Sequence, residues 1–62
     1  MAMKILGKKD DVEMHIEFFD DGKQLLYLTG TKPFFRTGLT VDEAKRILEN
    51  AGFTYTIEER KA

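Results

Sequence analysis

The chain contains no cysteine, no serine and no tryptophan, and it has one proline and one histidine in 62 residues. Without cysteine there are no disulfides and no thiolate metal ligands. That composition fits a reducing compartment, so a cytoplasmic location is expected. Without serine or cysteine the usual nucleophilic triads are excluded, leaving only unusual threonine or lysine variants. No glycine-rich phosphate loop is present, because Gly30 and Gly38 lack the strand–turn–helix spacing such a loop needs. The expectation is therefore a protein that is not an enzyme and holds no cofactor and no resident metal. No apolar run approaches the length of a membrane span. The opening MAMKILGKK is too short in apolar residues for a signal peptide.

Charge of one sign is also lacking. Ten Lys and Arg face eleven Asp and Glu, for a net charge of −1. That balance gives no general attraction to nucleic acid or to an anionic lipid surface. Hydrophobic residues make up 42% and charged residues 34%, the proportions of a folded domain rather than a disordered one. The length allows one domain, residues 1–62, with a small core.

The most fully specified stretch is Gly38 to Phe53, GLTVDEAKRILENAGF. Thr40 followed three residues later by Glu43 is a capping box, in which the Thr hydroxyl accepts from the Glu43 N–H and the Glu carboxylate reaches back to the Thr40 N–H. Asp42 and Glu43 place negative charge in the first turn, where the helix dipole favours it. Val41, Ala44, Ile47, Leu48 and Ala51 form one apolar stripe, with Asp42, Lys45, Arg46 and Glu49 off it. Gly52 suits the left-handed stop position, after which Phe53 folds back onto the helix. So short a helix is marginal alone and needs a sheet to pack on.

The remaining chain supplies that sheet. Met3 to Lys8 reads as a first strand, with Met3 and Ile5 on one face and Lys4, Leu6 and Lys8 on the other. Lys9-Asp10-Asp11 is a polar turn. Val12 to Phe19 alternates over eight residues, which places Val12, Met14, Ile16 and Phe18 on one face and Glu13, His15, Glu17 and Phe19 on the other. Asp20-Asp21-Gly22-Lys23 is a hairpin turn, and Gln24 to Thr29 is the returning strand. A two-residue turn would pair Ile16 with Tyr27 and turn Leu26 and Leu28 outward. A three-residue turn with a glycine bulge would pair Ile16 with Leu26 and Met14 with Leu28, turning Leu25 and Tyr27 outward. The second register is favoured because it buries two leucines. Gly30 to Gly38 is irregular; one of Phe34 and Phe35 is expected to cap the core and the other to be exposed. Phe53 to Glu59 is a final strand with Phe53, Tyr55 and Ile57 inward. The expected fold class is α+β: a two-layer, antiparallel-rich sheet of three to four strands with one helix on one face, in the order β-β-β-α-β.

Three constellations carry chemistry. Period two sets Glu13, His15 and Glu17 on one strand face, where nitrogen and oxygen ligands could meet a divalent ion; a solvated strand face is the favoured reading. Lys32, Phe34, Phe35 and Arg36 interleave bases with aromatics, as a nucleotide-stacking loop does; two bases make a small electrostatic footprint. Phe19, with Leu26 and Leu28 or with Leu25 and Tyr27, makes the sheet face away from the helix more apolar than exposure requires, which marks an interface unless the first strand's neighbours, the loop or the tail cover it.

Two local resemblances arise. Gly38-Leu39-Thr40, Glu43-Ala44, Leu48 and Ala51-Gly52-Phe53 resemble the helix-opening half of penicillin-binding-protein-associated (PASTA) modules, in which three strands follow the helix. Here three expected strands precede it and one follows. The hairpin with Asp21-Gly22, followed by Gly38-Leu39-Thr40 and Glu43-Ala44, resembles the arm-binding domains of tyrosine recombinases. That resemblance implies a three-stranded sheet entering a DNA groove, but the corresponding strand here carries Glu13 and Glu17.

The expectation for function is a small non-enzymatic interaction domain, of the kind found as a phage or bacterial accessory protein. It would self-associate as a homodimer, or dock a larger protein, through Phe19, Leu25, Leu26, Tyr27, Leu28, Lys32, Phe34, Phe35 and Arg36. The first alternative is nucleic-acid binding through Lys4, Lys8, Lys32 and Arg36. The second is mimicry of nucleic acid by Asp10, Asp11, Glu13, Glu17, Asp20 and Asp21. An enzymatic role, resting on His15 and its flanking carboxylates, comes last.

Overall fold

A computed structural model describes residues 2–60. Five strands and one helix follow in the order β1 (Ala2–Lys9), β2 (Val12–Phe18), β3 (Lys23–Leu28), β4 (Phe34–Thr37), α1 (Val41–Asn50) and β5 (Thr54–Arg60). The strands form one sheet in the order β4-β3-β2-β1-β5, antiparallel throughout. The α+β class is as expected, with helix and sheet as its two layers. The count of three to four strands is corrected to five, because residues 34–37 pair with β3 as an edge strand.

The β2–β3 hairpin takes the glycine-bulge register. Ile16 lies opposite Leu26 and Met14 opposite Leu28. Gly22 N–H donates to the Phe19 carbonyl at 3.2 Å and Phe19 N–H to that of Lys23 at 2.9 Å, which closes a three-residue turn. Gly22 holds φ at 86°, where a side chain would be strained. Leu26 is consequently buried on the helix face, with Leu28 half-buried on the same side.

The helix is capped as its sequence indicates, with one difference. Thr40 Oγ1 accepts from Glu43 N–H at 3.1 Å. Instead of reaching the Thr40 backbone, however, the Glu43 carboxylate accepts from the Thr40 hydroxyl at 3.1 Å. At the other end Phe53 N–H donates to Leu48 O at 2.8 Å and Gly52 N–H to Glu49 O at 3.0 Å, with Gly52 at φ 84°, a Schellman stop. No basic residue stands in the last turn. Lys9, from the end of β1, supplies the cation instead by donating to Ala51 O at 2.8 Å.

Ile5, Ile16, Leu26, Leu39, Ala44 and Leu48 form the core, with Met14, Phe18, Val41, Phe53 and Tyr55 packed against it. Three expectations on the helix are corrected, the first being that of Ala51 on the apolar stripe, since it is exposed as the C-cap. Ile47 is 42% exposed rather than buried, because it lies at the flank of the stripe whose centre is Ala44 and Leu48. Lys45, on the opposite flank, is half-buried. Ile57 turns to the helix face but stands on an edge strand and stays 39% exposed. The Tyr55 hydroxyl donates to Glu49 at 3.3 Å and fastens β5 to the helix. Partial burial, followed by the carboxylates of Glu49 and Asp42, raises the Tyr55 phenol above its ordinary value.

Two residues fix the seat of the helix. Gly7 is buried in β1, and a Cβ there would meet Leu48 Cδ2 at 2.7 Å. The missing side chain lets the helix approach the sheet closely. Gln24 is the only buried polar residue among those described. Its amide donates to Gly22 O at 3.0 Å and accepts from the Leu39 N–H at 3.0 Å, so one side chain ties the hairpin turn to the chain entering the helix.

Gly7→Ala is expected to destabilise the fold by about 1–3 kcal/mol through overpacking against Leu48, read by urea unfolding. Gln24→Leu leaves the Leu39 N–H without its partner and should cost about 1–3 kcal/mol in the same measurement.

Candidate interaction surface

The helix covers one sheet face. On the other face, alternation and register assemble three cross-strand rows. One runs Thr54, Lys8, Glu13; the second runs Thr56, Leu6, His15, Tyr27; the third runs Glu58, Lys4, Glu17, Leu25, Phe35. The rows divide the face. Its β1–β2 half is charged, with Lys8 Nζ 3.8 Å from Glu13. Its β3–β4 half is apolar and aromatic at Leu25, Tyr27 and Phe35, with the exposed Lys23–Thr37 pair at its turn end.

His15 sits at the border between the halves. Its ring stacks on Tyr27 with centroids 4.5 Å apart and planes 5° from parallel. Nε2 lies 3.4 Å from Glu13 Oε1, and Nδ1 is buried with no hydrogen-bond partner. Tyr27 is half-buried beneath this stack. Glu17 lies opposite Lys4 and Leu25. Among the described residues no group of three His, Asp or Glu side chains could hold a metal ion.

The structure sorts the expected partner-binding residues. Leu25 and Tyr27 are on the outer face. Leu26 and Leu28 are not; the bulged turn puts them on the helix face, and they leave the candidate surface. Phe19 is exposed where β2 enters the turn. Lys32 is exposed in the β3–β4 connection. Phe34 and Phe35 are 56% and 68% exposed, so neither caps the core. They point to opposite sides of an edge strand, and the helix does not extend over that edge. Arg36 shares the helix-face side with Phe34. A shallow concavity of about 360 Å³ lies beside this edge, lined by Lys23, Phe35, Arg36 and Thr37.

The alternative surfaces are less coherent. Lys4 and Lys8 face outward while Arg36 faces the helix side, so the four bases share no face. The six carboxylates run along β2 and its two turns, but Lys8 stands against Glu13 and Lys23 lies 4.0 Å from Asp21. They form no uncompensated tract.

Comparisons of the chain with known protein families, curated protein sequences and solved structures find no match. The two local resemblances at the helix therefore gain no support from a family match. Among the described residues no helix is long and apolar enough to cross a membrane.

Tyr27→Leu is expected to remove the ring-current shift that the stack imposes on His15. With a single histidine in the chain, its ring protons should move downfield by a few tenths of a ppm in proton NMR while the rest of the spectrum stays folded.

Proposed function

We propose that this protein is a small, non-enzymatic interaction domain that self-associates through the β3–β4 half of its outer sheet face. The observation that supports this most directly is the grouping of Leu25, Tyr27 and Phe35 on a face that no described element covers, beside a charged half that would serve as the rim. An apolar centre with a polar border is the usual anatomy of an interface. Aromatic residues supply much of the energy of such surfaces. A cytoplasmic setting fits the absence of cysteine.

The reading is tested by sedimentation equilibrium over a concentration series. The wild-type chain is expected to show a reversible dimer. Leu25→Thr with Tyr27→Thr should return it to monomer with unchanged far-ultraviolet circular dichroism. Nucleic-acid binding is the competing reading, and it requires affinity for DNA or RNA that falls steeply with salt. No binding at low salt is the expected result.

A further inference from the structure

Hydrogen-bond parity shows which backbone groups of β4 are free. Phe19 N–H donates to Lys23 O and Thr29 N–H to Glu13 O, so the odd-numbered residues of β3 turn their backbone groups toward β2. The even-numbered residues turn toward β4; at the end of the strand the Leu28 N–H is taken by Thr31 Oγ1 at 3.0 Å. Gln24–Arg36 and Leu26–Phe34 are therefore the hydrogen-bonded pairs of the β3–β4 ladder. The backbone groups of Phe35 and Thr37 consequently point away from the sheet, and among the described residues no strand lies beyond them. The opposite edge, β5, carries Glu58 and Glu59, charges of the kind that discourage edge pairing. β4 carries two exposed phenylalanines and one arginine.

We propose that a second copy of this chain pairs antiparallel with the free edge of β4 about a two-fold axis at Phe35, joining two five-stranded sheets into one of ten strands. This rests on the self-association reading above and moves the contact to the β4 rim of that face, where Phe35 rather than Tyr27 is covered. Side-chain charge selects the register. With the axis at Phe35, Phe35 meets Phe35 of the second copy on the outer face. On the helix face each Arg36 meets a Phe34 ring, a cation–π arrangement made twice. Moving the axis to Arg36 would set two arginines opposite each other, which is unfavourable. The area is consistent with a weak pair. Phe34 and Phe35 are 56% and 68% exposed, and with about 200 Å² for each ring, covering all four removes roughly 500 Å². That is well below a standard interface, so the pair is weak and depends on the edge hydrogen bonds as much as on the rings.

The experiment uses the whole chain, whose 62 residues are within reach of chemical synthesis. N-methylation of Phe35 removes the outward donor, keeps the ring and leaves the bonds to β3 intact. Sedimentation equilibrium should show dimerisation weakened at least tenfold, with circular dichroism unchanged. The register is read separately by disulfide trapping in this cysteine-free chain. Across a hydrogen-bonded pair the two Phe35 Cα atoms would be about 5.5 Å apart, within disulfide reach. Phe35→Cys should cross-link at least tenfold faster than Thr37→Cys, whose counterparts lie far apart in this register. Equal rates overturn the register. Dimerisation that ignores N-methylation but is lost in the Leu25→Thr, Tyr27→Thr variant overturns edge pairing and leaves the sheet-face reading standing. A monomer at every concentration overturns both.

Discussion

One helix of ten residues has to cover a sheet five strands wide. A helix with its side chains is about 10 Å across, whereas four strand spacings of about 4.8 Å span roughly 19 Å. Cover is therefore complete over the middle of the sheet and fails at both margins. Ile5, Ile16 and Leu48 are fully buried, while Phe34 on one edge and Ile57 on the other stay open. The close seat at Gly7 follows from the same constraint. With only one helix available, the packing that exists has to be tight, and β1 gives up a side chain to make it so.

Much of this was legible in the sequence because buried-face patterns are local. The alternation of Val12 to Phe19 and the Asp21-Gly22 turn set the hairpin, and the gain from burying Leu26 and Leu28 chose between its two registers. The Thr40–Glu43 cap and the Gly52 stop bounded the helix. β4 was hidden for a physical reason. A strand shows itself by alternating apolar and polar residues only when one face is buried, and all four residues of β4 are exposed. The direction of Phe34 and Phe35 was illegible for the same reason. Gln24 was hidden differently, since its two partners lie in separate loops and only the folded chain brings them to one amide.

The outer face draws its character from sheet order more than from composition. Strand pairing places the charged strands β1 and β2 side by side and gathers Leu25, Tyr27 and Phe35 on β3 and β4. A chain with nearly balanced charge thus acquires a polar half and an aromatic half. Of the loop residues first read as a separate basic–aromatic patch, only Phe35 continues the sheet's apolar half, at its rim, while Phe34 and Arg36 lie on the helix-face side.

The pairing of β1 with β5 carries a kinetic consequence. Ala2 lies opposite Arg60, so this ladder joins the two described ends of the chain, whereas β1, β2, β3 and β4 form a meander of neighbours. Local hairpins close quickly, and a ladder between distant segments waits on a large loop-closure entropy. During synthesis β1 emerges first and β5 last, so β1, an interior strand of the finished sheet, spends the interval as an open edge. Ile5 and Leu6 are then available to any neighbouring nascent chain, so the interval before β5 docks is one in which this fold is open to aggregation through β1.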